Sequence, residues 1–114
     1  MQLNWVKLTT GDWCPFETVD LSNVTTFGVY VIWYKGQPGR VVYVGQGDVA
    51  DRLTTHRKDR EILAYKNCGL LVTWATVSAS QRDGVERYLA DSWPPLVGDR
   101  HPDVMPIAVN SPWG

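Results

Sequence analysis

The sequence predicts a small α+β domain, a three-stranded antiparallel sheet flanked by helices. Three observations predict it. Two runs rich in Val, Ile, Tyr and Trp, at 28–35 and 40–45, meet across the turn signal Gly36-Gln37-Pro38-Gly39. A third such run lies at 70–77. Each of the last two runs is followed by an amphipathic stretch with a capping residue at its start.

Residues 1–27 carry Trp5, Trp13, Phe16 and Val19 among polar residues, with Gly11 and Pro15, in neither alternating nor helical spacing. They read as an irregular or partly strand-forming lead-in. The hairpin of 28–35 and 40–45 comes next. Asp48 then caps a helix over about 49–65, with Val49, Leu53, His56 and Leu63 near one face and Arg52 one turn from His56. Gly69 ends the connection, and Leu71, Val72, Trp74 and Val77 mark the third strand. Ser78 with Gln81 resembles a capping box for a helix to about 93, whose buried stripe is Val85, Tyr88 and Leu89. Pro94-Pro95 stops it. The tail, with Pro102, Pro106 and Pro112, is expected to wrap over the surface or past a sheet edge. The organisation is a lead-in (1–27), a core (28–97) and a C-terminal extension (98–114).

At 114 residues, 44% apolar and 20% charged, the chain has the composition of one folded globular domain. The first residues show no basic stretch followed by an apolar run, and no run of about 18 apolar residues occurs, so a cytoplasmic protein with no membrane partner is expected. Cys14 and Cys68 stand in no metal or redox spacing and read as two reduced thiols. Net charge is −1, which argues against binding polyanions over the whole surface. Residues 28–68, however, hold seven Lys or Arg against four Asp or Glu, so a polyanion site belongs there. Gly45-Gln46-Gly47 lacks the Lys of a phosphate-binding P-loop. Asp99, His101 and Asp103, beside Gly98 and Pro102, read as turn residues ahead of a metal cluster.

The hairpin places Gly28-Val29-Tyr30 on its first strand and Tyr43-Val44-Gly45 at the end of its second, directly before the helix with Arg52 and His56. This pattern resembles the GIY-YIG nuclease family, which pairs such tripeptides ahead of a helix with Arg and, four residues on, often His. The family also places a Glu on a later helix, where this chain has Glu86, about a dozen residues before a Pro-containing segment ending in Asn. The resemblance covers 28–97. It departs at the family's Asn, where this chain has Val97, a side chain that makes no hydrogen bond.

The resemblance implies a divalent-metal-dependent endonuclease that hydrolyses a phosphodiester of nucleic acid, DNA being the expected partner. Its implied catalytic residues are Tyr30, Tyr43, Arg52, His56 and Glu86, with Glu86 the ligand for Mg²⁺ or Mn²⁺. The chemistry suits those roles. A hard cation keeps most of its waters and needs few protein oxygens, while a guanidinium matches phosphate oxygens with a charge that is never lost. One of the tyrosines would activate water, and His56 would accept a phenolic proton or contact phosphate. A separate protein could supply targeting, since so small a domain has little surface for reading bases. Two other functions stay open: a nucleic-acid-binding module of the same fold with weak or no cleavage, to which Val97 points, and a protein-interaction domain using the Trp-rich ends.

Overall fold

The computed structural model describes residues 1–98 and 100–113. Its elements are β1 (Cys14–Pro15), β2 (Phe27–Tyr34), β3 (Arg40–Asp48), α1 (Val49–His56), α2 (Arg60–Leu63), β4 (Leu70–Thr76) and α3 (Arg82–Ser92). They form an α+β domain around one antiparallel sheet in the order β1-β4-β2-β3. The sheet has four strands, not the expected three. The extra strand comes from the lead-in, where Cys14 pairs with Val72 and Pro15 with Leu71 along the edge of β4. Val6 N–H to Trp74 O and Phe16 N–H to Leu70 O, both 3.0 Å, extend this cover. So short a strand leaves no alternation to read, and an edge tolerates its proline.

The helix expected over 49–65 is broken. α1 stops at His56, α2 is a single turn, and a 3₁₀ turn (Lys66–Cys68) closes at Gly69 with φ 80°. Asp59 causes the break by capping a second helix: its side chain accepts from Glu61 N–H at 2.9 Å, competing with the continuous backbone ladder. Arg57 fixes the bend, donating to Phe16 O at 2.9 Å and Val19 O at 2.6 Å in the lead-in. The apolar face rotates as a result. Ile62 is buried, and Leu63, expected inside, is half-buried.

The capping box also differs from expectation. Ser78 Oγ donates to Gln81 Oε1 at 3.0 Å, and neither side chain caps a backbone N–H, because α3 starts only at Arg82.

Strand alternation divides the core into two layers. Tyr30, Ile32, Val72 and Trp74 face Val49, Leu53 and Ile62 of α1 and α2. On the other side, Val29, Val31, Trp33 and Ala75 face Val85 and Leu89 of α3. Each fully buried Val or Leu contributes roughly 1.5–3 kcal/mol, enough in sum to fix the register of a sheet buried on both faces.

The tail lies along the β3 edge, with Leu96 N–H on Val41 O (3.1 Å) and Val97 N–H on Val42 O (2.9 Å). Farther on, Asn110 clasps the N-terminus, accepting from Leu3 N–H at 2.6 Å and donating to Leu3 O at 3.1 Å. Among the described residues, no helix is long and apolar enough to cross a membrane.

Candidate active site

Glycines decide where the two tyrosines stand. Tyr30 is opposite Gly45 in the β2–β3 register, and a Cβ at 45 would run into the Tyr30 ring and hydroxyl. The glycine therefore lets the ring lie across β3. Gly28 plays the matching part on the other side, where a Cβ would meet the Ala75 carbonyl of β4. Tyr43, two residues before Gly45, projects to the same face as Tyr30. Their rings stack with centroids 6.2 Å apart and planes 10° from parallel.

α1 brings the basic residues to these rings. Asp48 accepts from Asp51 N–H at 3.3 Å, which fixes the helix start and turns Leu53 and His56 inward. His56 Nε2 and the Tyr30 hydroxyl are 2.7 Å apart, and the imidazole centroid is 4.4 Å from that of Tyr43. Arg52, one turn earlier, is exposed, and its charge acts on both phenols.

Burial sets the protonation states. Tyr30 has no exposed surface, and its pKa is raised well above the ordinary phenol range, chiefly by that burial; the Arg52 guanidinium opposes the shift, while Tyr43 and Glu86 add to it. Burial, helped by the charge of Arg52 and opposed by Asp59, lowers His56 to about 4. Near neutrality Tyr30 is thus a protonated phenol and His56 a neutral imidazole. With the Arg52 guanidinium, which has no acceptor, acting on the Tyr30 oxygen, the phenol directs its own hydrogen to His56 Nε2. The proton of His56 is then on Nδ1.

Glu86 approaches from the opposite layer. α3 buries Val85 and Leu89, and Glu86, about 100° round the helix from Val85, comes to the margin where α3 meets β3. Gln46 Nε2 donates to Asp83 Oδ1 at 2.6 Å and ties the two elements there. Glu86 is only 7% exposed, and its charge reaches the Tyr30 hydroxyl. Tyr30, Tyr43, Arg52 and His56 therefore form one cluster, with Glu86 in electrostatic range of it. No hydrogen bond joins Glu86 to the other four among the described residues.

The partner of Glu86 is His101, which the sequence alone reads as a turn residue. His101 Nδ1 lies 2.9 Å from Glu86 Oε2, and since a carboxylate only accepts, the imidazole donates. His101 Nε2 is buried without a hydrogen-bond partner. Val97, at the position of the family's Asn, instead packs into the core beside Val42. Gly98 follows against the Tyr43 ring, where a Cβ would be 3.0 Å from Cε2. The tail residue that reaches Glu86 is thus His101, four positions after Val97. Its one signal was the polar run around Pro102; Asp99 of that run lies outside the described residues.

Among the described residues, no group of three His, Cys, Asp or Glu side chains is placed to hold a metal ion. The cluster offers a hard cation one carboxylate, Glu86, whose Oε2 is engaged by His101, so the rest of a Mg²⁺ shell would have to be water and substrate oxygens. No family model, curated protein or solved structure matches the chain.

Proposed function

We propose that this domain is a GIY-YIG-type endonuclease, hydrolysing a phosphodiester of nucleic acid, DNA first, with Mg²⁺ or Mn²⁺ held by Glu86. The observation that carries the reading is the joining of Tyr30, Tyr43 and His56 under an exposed Arg52, with a nearly buried carboxylate acting on the same hydroxyl.

The residues divide the work by exposure. Arg52 offers a permanent fork of donors at the surface and would hold the non-bridging oxygens of the scissile phosphate. Tyr30, fully buried and strongly held as a phenol, is a positioning residue: it links Arg52 to His56 and orients both. Tyr43 is half-buried and borders the open cleft shared with Pro95 and Gly98, so it is the tyrosine that, after giving its own proton to solvent, would act as phenolate and take a proton from the attacking water. Arg52 beside it would stabilise that phenolate before the transfer. A cation bound at Glu86 would supply Lewis-acid stabilisation of the developing phosphoryl charge. His101 holds one carboxylate oxygen of Glu86 and so sets the direction of the other.

A second reading, a nucleic-acid-binding module with weak or no cleavage, is favoured by the burial of Val97 and by the engagement of Glu86 with His101. A nicking assay with Mg²⁺ and Mn²⁺ on duplex, branched and single-stranded substrates separates the two. Metal-dependent nicking supports the nuclease; a salt-sensitive gel shift without nicking supports the module.

A further inference from the structure

At the hairpin end of the sheet, away from the tyrosine cluster, Trp33, Trp93 and Trp113 border a cavity of about 320 Å³. The indoles meet edge to face: Trp33 and Trp113 at 5.2 Å and 75°, Trp93 and Trp113 at 5.4 Å and 78°. Edge-to-face contact at these distances is the preferred packing of aromatic rings and ties Trp113 to both of the other indoles. Trp33 is nearly buried and is backed by Trp13 at 5.2 Å, so one wall is rigid, whereas Trp113 is 39% exposed and forms the mouth. Tyr34 completes the aromatic part of the lining.

The charges at this cavity select among aromatic-loving ligands. Lys35 and Arg40 line it, one on each side of the hairpin turn, both exposed and neither in an ion pair among the described residues. No carboxylate lines it. An aromatic cage for a quaternary ammonium would be opposed by two cations at its rim, whereas a flat π system carrying anions is favoured by both features. A nucleobase flanked by phosphates has that chemistry, and the volume is at the lower end of the range for small ligands. The hairpin also lies in the basic third of an otherwise acidic chain, with seven Lys or Arg against four Asp or Glu in 28–68.

We infer that this cavity binds one unpaired base of a nucleic-acid strand, stacked among Trp33, Trp93 and Trp113, with the flanking phosphates on Lys35 and Arg40. Two cations separated by a turn suit the phosphates on either side of a base within a strand better than the single phosphate of a free nucleotide. Glu86 precedes Trp93 by seven residues, about 10 Å of helix, so a strand could span from the candidate active site to the cavity in a few nucleotides. The inference rests on the nuclease reading for its biological setting, and its test needs no cleavage.

The test is a titration of the full chain in EDTA with fluorescently labelled single-stranded hexadeoxyadenylate, its blunt duplex, dAMP and choline, read by anisotropy and tryptophan quenching. The single strand should bind at least about tenfold more tightly than the duplex or dAMP, and choline should not bind. Trp113→Ala should weaken the single strand about tenfold, the scale of one lost stacking partner. The double variant Lys35→Ala/Arg40→Ala, both exposed positions, should flatten the slope of log K against log salt by about 1.4, two phosphate contacts at about 0.7 each. Absence of binding, equal affinity for duplex, tighter binding of dAMP or choline, or indifference to both sets of substitutions would overturn the inference. Intact binding without any nicking in Mg²⁺ would sink the nuclease reading alone. Nicking by a protein whose oligonucleotide affinity ignores Trp113→Ala and the double variant would sink the cavity alone.

Discussion

Lowering the pH should destabilise this protein through His56 in a window fixed by its burial. The side chain is 4% exposed, and its pKa falls from an ordinary 6.5 to about 4 in the folded state. The depressed value means that the unfolded chain binds a proton first as pH drops, so stability is full above about 6.5 and is lost progressively down to about 4. The loss approaches about 3 kcal/mol at the bottom of the window, and about 2 kcal/mol of it has gone by pH 5. For a chain of 114 residues, about 2 kcal/mol corresponds to a melting temperature lower by about 8 °C. Other groups titrate in the same range, so the measurement is the difference between the wild type and His56→Gln, whose amide accepts the Tyr30 hydrogen but cannot charge. Melting temperatures taken by circular dichroism from pH 7.5 to 5 should fall about 8 °C further in the wild type than in the variant. Parallel curves would refute the reasoning, because His56 would then either titrate normally or not be buried as a neutral acceptor of the Tyr30 hydroxyl.

Glu86→Gln keeps the shape of the side chain and removes the charge, so nicking should fall at least about a hundredfold, while the melting temperature of the same preparation stays within a few degrees. Arg52→Lys should damage nicking through loss of the two-pronged phosphate contact and weaken DNA binding much less, as a gel shift would reveal. Tyr43→Phe should abolish most nicking with little change in stability; Tyr30→Phe should cost about 1–3 kcal/mol in denaturant unfolding, since it leaves His56 Nε2 buried without its donor. The reverse ordering of these two variants would reassign the base. Gly45→Ala should destabilise by about 1–3 kcal/mol or more, because the added methyl meets the Tyr30 ring; unfolding unchanged by it would mean that the ring does not lie across β3.

Local chemistry made part of this protein legible in its sequence. The β2–β3 hairpin follows from β-branched and aromatic runs on either side of Gly36-Gln37-Pro38-Gly39, and the start of α1 from Asp48, because turns and caps are settled by residues within a few positions of one another. Spacing by four along a helix sets Arg52 and His56 one turn apart, while Tyr30 and Tyr43 were joined to them only through what the GIY-YIG resemblance implies. The remainder depends on contacts between distant segments. Arg57 reaches back to Phe16 and Val19 and, with Asp59, breaks a helix that periodicity alone runs straight through. The pairing of Cys14 with Val72 adds a strand too short to carry a pattern. Only packing decided that Tyr30 is sealed while Tyr43 reaches the cleft, since two like residues on one face differ just in what covers them. His101 on Glu86 and the three indoles around one cavity were equally out of reach, because the path of the tail brings them together and no local rule specifies that path.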